Sequence, residues 1–339
     1  MGFKPLPTRK THVQSMRPTY LTQPQANQNK SISVIFVHGL TGNRETTWTH
    51  KTTGKFWPQD FLPHDLPDVR ILTFGYDADI IGTSHTASSN TLRDHGKSLA
   101  EKLAMWRRKS RTNLWPLIFV AHGLGGLVVE QALLISRGSS ELHVKDLLES
   151  TTAMAFMGTP HAGSDKASLV VPLTHLSKII LGASNTEILQ LLRPGSEMLA
   201  NLQQEFHTML KDRSQNQKKS IEICCFYEEL PVRRIRDKVV PSHSAILNPY
   251  PSLPIHGNQM QMKKFGNNRD PGYTDVRGRL WLWIDNLKLE AQPAAGPEAI
   301  QARDSKPERY LMFSGGGPVF QGDQIAGRDI NVNTWRSAP

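Results

Sequence analysis

Two cysteines in 339 residues, adjacent as Cys224 and Cys225, exclude a disulfide framework and favour a reducing, intracellular compartment. The chain nowhere runs apolar for the roughly 18 residues that a spanning helix needs. A mean hydropathy of -0.41 excludes a polytopic membrane protein. Acidic residues are missing from the first 30 positions, where Lys4, Arg9, Lys10, Arg17 and Lys30 stand among Pro5, Pro7, Pro18 and Pro24. That composition predicts a disordered basic arm over 1–30. Its prolines oppose the amphipathic helix of a mitochondrial presequence, and the arm has no secretory apolar core.

The 40 Lys and Arg against 30 Asp and Glu leave a net charge of +10. About half of it lies in the arm, and a second basic cluster is Arg107, Arg108, Lys109 and Arg111. Such clusters could touch nucleic acid or an anionic membrane surface. The simpler reading is a solvated tail and a helix C-terminus. Zinc-finger spacings and aromatic-basic motifs are missing, which argues against nucleic acid.

From Ser31 the pattern alternates between strand and helix. Ile32–Val37, Val69–Phe74, Leu117–Ala121, Ala153–Met157 and Ile221–Tyr227 read as strands. Leu92–Trp106 and Asp275–Leu289 read as helices, the latter with Val276, Leu280, Trp283, Ile284 and Leu287 on one face. Such alternation implies a mostly parallel sheet with helices on both faces, its active groups at the strands' carboxyl ends. The domain spans 31–290, and 166–212 sits where a helical lid would interrupt it. A linker over 291–309, rich in Ala, Pro and charge, leads to a tail over 310–339.

The chemistry concentrates at A-H-G-L-G-G, residues 121–126, between a strand and a helix. This is the frame of a nucleophile elbow, in which a strained residue exposes its side chain and the next N–H points into an oxyanion hole. The residue at that position is Gly123, which carries no nucleophile. His161, in G-T-P-H-A-G, reads as a loop-shaping residue, and His85, His95 and His175 show no metal-ligand spacing. G-L-T-G-N-R lacks the ending of a phosphate loop. The sequence therefore implies no metal and no cofactor.

VIFVHGLTGNRETTW, FWPQDFLP, RILTFGYDA, LIFVAHGLGGLVVEQAL, FMGTPHAGS, DKVVPSHSA, IHGNQMQMKKF and DPGY together resemble a known family. These segments are similar to the α/β-hydrolases of the SERAC and fungal SesB type, serine esterases or lipase-like proteins, over about residues 31–290. The resemblance implies an α/β-hydrolase fold acting on an acyl-ester or lipid ligand. It puts Gly123 at the family's serine, His256 at the general base and Asp237 at the acid, with Glu228 as the alternative acid. It makes Gly39, Leu40 and Leu124 the oxyanion loop and donors, and places His38 and His122 beside the substrate. Without its serine the protein is expected to be inactive or strongly impaired while keeping its pocket. SERAC-type relatives further imply a cytoplasmic protein in contact with a mitochondrial or endoplasmic-reticulum membrane.

In the tail, residues 313–335 alternate Val, Phe and Ile with Gly, Asn, Gln and Asp. A short hairpin or a disordered segment is the plain reading. The period-two apolar positions and amide residues also suit cross-β stacking. The segment is similar to the amyloid-signalling motifs that fungal immune receptors of the NLR type share with their cell-death effectors. That likeness implies a receptor partner.

Overall fold

A computed structural model of the chain describes residues 19–20, 32–39, 42–76, 92–161, 175, 197–215, 220–233 and 236–291. The chain divides into two compact units, Met1–Ala291 and Gln292–Pro339, and all described residues belong to the first. The linker and the 310–339 tail lie outside the described residues.

The strands are β1 (Thr19–Tyr20), β2 (Ile32–Val37), β3 (Val69–Phe74), β4 (Leu117–His122), β5 (Thr151–Met157), β6 (Glu222–Glu228) and β7 (Ser252–Ile255). They form one sheet in the order β1-β3-β2-β4-β5-β6-β7. From β2 to β7 all pairs are parallel, and β1 pairs antiparallel at the edge with Thr19 opposite Thr73. The helices are α1 (Trp57–Asp60), α2 (Leu62–Asp65), α3 (Leu92–Lys109), α4 (Leu124–Gly138), α5 (Leu142–Ser150), α6 (Glu197–Gln215), α7 (Ser242–Ala245) and α8 (Pro271–Ala291). This is the α/β-hydrolase fold.

Alternation along each central strand divides the core in two. Ile35, Val37, Leu72, Phe119 and Phe156 point to one face, covered by apolar residues of α3, α4, α5 and α6. Val34, Phe36, Ile71, Ile118 and Val120 point to the other, covered by α1, α2 and α8. Because both faces are covered, the central strands are mostly apolar, as over Leu117–Ala121 in β4, rather than alternating. The expected face of α8 is inside: Val276, Leu280, Trp283 and Ile284 are buried and Leu287 packs against them.

The sequence pattern misses β1, β7, α1, α2, α5 and α7. β7 carries Pro254 opposite Tyr227, and an edge strand is where a residue without an N–H is tolerated. α1 and α2 each have proline in their first turn, a helix-start signal in segments too short to show periodicity. α5 follows α4 after a three-residue break. β1 lies within the arm expected to be disordered. Of the expected lid, 197–212 belongs to α6, whose Leu199, Leu202, Phe206, Met209 and Leu210 are buried in the core. Apart from His175, residues 166–196 lie outside the described residues.

Candidate active site at the strand-to-helix turn

β4 ends at His122 and α4 begins at Leu124, so the whole turn falls on Gly123. Its backbone has φ 54 and ψ -131, a region that side-chain-bearing residues enter only with strain. The turn is anchored on both sides. The Gly123 N–H donates to Met157 O at 2.9 Å, and the Gly126 N–H donates back to Gly123 O at 3.1 Å. Gly125 lets the helix start close to β2: a Cβ there would overlap His38 O and lie 2.8 Å from Val37 O. Leu124 is the first residue of α4. Its N–H therefore has no intrahelical acceptor and stands at the positive end of the helix dipole.

The loop after β2 meets this turn at Gly39, where a Cβ would lie 2.8 Å from His122 O. Leu40, the other expected oxyanion residue, lies outside the described residues. His38 is fully buried, and its ring stacks on Tyr76 with centroids 4.4 Å apart. Its Nδ1–H donates to Gly39 O at 2.9 Å, and the Tyr76 hydroxyl donates to His38 O at 2.7 Å. Burial pulls its pKa down to about 4. His38 is thus a neutral brace for the loop.

His122 is also buried and neutral, its pKa pushed well below the ordinary value by burial and by the Lys263 charge. Its Nε2–H donates to Gln259 O at 3.0 Å, and Lys263 Nζ lies 3.3 Å from Nδ1. Burial, together with the neighbouring Lys264, lowers the Lys263 ammonium to a pKa of about 7.

Of the two expected acids, the structure brings Glu228 to the site. It ends β6, is fully buried, and accepts the Val240 N–H at 2.7 Å and the Gln259 N–H at 2.6 Å. Burial raises its pKa to about 7 against the pull of those N–H donors. Asp237 points elsewhere. Its side chain is 61% exposed, 3.8 Å from His175, and caps the Lys238 N–H at 2.7 Å.

His256, the expected base, is not brought to the elbow. Its side chain is 77% exposed and its Nδ1 faces Glu229 Oε2 at 3.1 Å. The described atom nearest a Cβ at position 123 is instead Gln259 Nε2, at 3.5 Å. Local sequence dictates this arrangement. The Asn258 side chain accepts the Met260 and Gln261 N–H groups, while Gln261 Oε1 accepts the Asn258 N–H at 3.4 Å. This reciprocal cap nucleates one helical turn after β7. Positions one, four and five of that turn, Gln259, Met262 and Lys263, are buried. His256 precedes the cap and stays outside. The Asn258-x-x-Gln261 spacing is a signal in the sequence for the inward turn, and His256, two residues before it, masks that signal.

A second polar cluster lies away from the elbow. His161 Nδ1 is 3.2 Å from Glu130 Oε1, both fully buried, and Gln203 donates to Glu130 Oε2 at 2.5 Å. Burial alone would lower the His161 pKa, but bonds to Cys225 and Glu130 raise it to about 9. The cluster joins α4, α6 and the loop after β5, in keeping with a loop-shaping His161. Two cavities, of about 330 and 190 Å³, are lined by residues of α4–α6 and by residues around Trp283; neither includes the elbow.

Comparison with known proteins identifies the family. The family model described as "Putative serine esterase (DUF676)" matches residues 27–248. Protein SERAC1 of Danio rerio is 30% identical over 251 residues, covering 67% of this chain and 36% of that protein. SERAC1 of Homo sapiens is 25% identical over 265 residues, covering 72% of this chain and 38% of that protein. The chain thus spans under two fifths of the length of these relatives. Among solved structures, mature Bacillus licheniformis lipase BlEst2 aligns with a TM-score of 0.47 at 16% identity, covering 77% of this chain and 97% of that one. The family match takes in every strand from β2 to β6 together with the elbow, and the chain belongs to the family described as "Putative serine esterase (DUF676)".

Proposed function

We propose that this chain is an esterase-fold protein that holds an acyl carboxylate or ester carbonyl at the elbow without hydrolysing it through a covalent intermediate. The observation that carries this reading is Gly123, which has the elbow conformation and no side chain. In acyl transfer a hydroxyl at that position attacks the carbonyl, a histidine takes its proton, and an acid orients the histidine. Glycine supplies no attacking oxygen, and Leu124, Gly125 and Gly126 carry none either. What remains is the Leu124 N–H at the start of a 15-residue helix, an anion- or carbonyl-binding feature.

The test is a titration of ¹⁵N-labelled protein with butyrate and with a butyrate ester. The expected result is a saturable shift of the Leu124 amide and no p-nitrophenyl butyrate turnover above buffer. Multiple turnovers by the unaltered chain, or an unmoved Leu124 amide, overturn the reading. We further propose that the protein is an effector at a mitochondrial or endoplasmic-reticulum membrane, recruited by an NLR-type receptor through residues 313–335. Its support is the period-two pattern of residues 313–335.

A further inference from the structure

The side chain beside the elbow belongs to a residue with no acid–base chemistry. Gln259 is 2% exposed, and its Nε2 lies 3.5 Å from the position a Cβ at 123 would take. A hydroxyl on that Cβ could reach Nε2 within hydrogen-bond distance. The Gln259 backbone N–H donates to Glu228 Oε2 at 2.6 Å, so its Cα sits beside the buried carboxylate that ends β6. It also follows the last parallel strand, with the elbow and the acid at the ends of β4 and β6. Three carboxyl ends of one sheet therefore converge on one point. An imidazole on the Cα of Gln259 would face the elbow on one side and Glu228 on the other.

We infer that Gln259 occupies the seat of a general base, so that the site lacks two members of a triad and Glu228 is the member that remains. The carboxamide there is a spacer. Its Nε2–H donates to Gly158 O at 2.8 Å, while its Oε1, buried, has no partner among the described residues. An acceptor left unpaired in the interior costs stability, which marks the seat as poorly matched to an amide.

This inference rests on the non-catalytic reading and has its own consequence. A serine and its base act as a unit, and losing either costs about as much as losing both. Gly123→Ser alone should therefore stay near the unaltered chain in p-nitrophenyl butyrate hydrolysis, as should Gln259→His alone. The double variant Gly123→Ser/Gln259→His should exceed each single variant by about 10²-fold or more. It should also take up a fluorophosphonate at the introduced serine. A folded but inactive double variant overturns the inference. So does a Gly123→Ser variant as active as the double one, most directly if His256→Ala abolishes its activity. Should the double variant fail to fold, Gln259→His alone decides the matter by NMR. A downfield ring N–H, lost on Glu228→Gln, supports the seat, and a folded variant without it overturns it. Turnover by the unaltered chain would count against the non-catalytic reading and leave these comparisons interpretable.

Discussion

Replacing Gly123 by alanine isolates the strain of the elbow from its chemistry. The added Cβ meets one described neighbour, Gln259 Nε2 at 3.5 Å, which is ordinary contact, so packing contributes little. The backbone is different. At φ 54 and ψ -131 a side-chain-bearing residue costs of order 1–3 kcal/mol. Alanine also narrows the unfolded ensemble, which returns about 0.4–1 kcal/mol. Gly138, the last residue of α4, is a matched control: a Cβ there has no atom within 4 Å and its φ is not in the positive range. The unfolded-state contribution is common to both variants, so their difference reads the strain. Gly138→Ala should be slightly stabilised. Gly123→Ala should lie below it by about 1–3 kcal/mol in urea denaturation with unchanged m. If the two variants are equally stable, the turn is not held at positive φ and the elbow reasoning fails.

Two further perturbations address the buried charges. Lys263→Met should stabilise the protein most at and below pH 7. Because the folded lysine titrates near 7 and the unfolded one near 10.5, the native state carries the penalty of a buried charge at low pH and loses it as pH rises. The gain over the unaltered chain should shrink between those values, from an upper bound of about 5 kcal/mol less about 1 for the lost contact to His122. Stability curves of the two proteins from pH 6 to 10 check this, and a pH-independent difference contradicts it. Glu130→Ala removes the carboxylate that holds the His161 pKa up, so burial returns the imidazole to its neutral form, and the lost pair together with the unpaired Gln203 amide should cost about 1–3 kcal/mol by chemical denaturation. A loss under 1 kcal/mol would show that the pair is not formed.

Most of the fold is legible in the residues. Ile32–Val37 and Val69–Phe74 are runs rich in β-branched residues, and the structure has strands over the same residues. Burial on both faces is what makes such runs stand out. β7 does not stand out, because Pro251 and Pro254 break the pattern and only an edge position tolerates them. The elbow is legible because the small residues around it follow from backbone approach, as at Gly125 beside His38. The rest of the site is less so. Choosing among acids needs to know that Glu228, at the end of β6, is inside and that Asp237, beyond it in the chain, is outside. The base seat is harder still. Sequence reasoning looks for an imidazole and finds His256, whereas the turn capped by Asn258 carries Gln259 inward and leaves His256 in solvent.

Intact-mass spectrometry of the unaltered full chain, incubated to saturation with a fluorophosphonate, addresses the missing nucleophile most directly. The account predicts an unchanged mass, with the folded protein recovered. A stoichiometric phosphonyl adduct on any side chain next to the β4–α4 turn would contradict it.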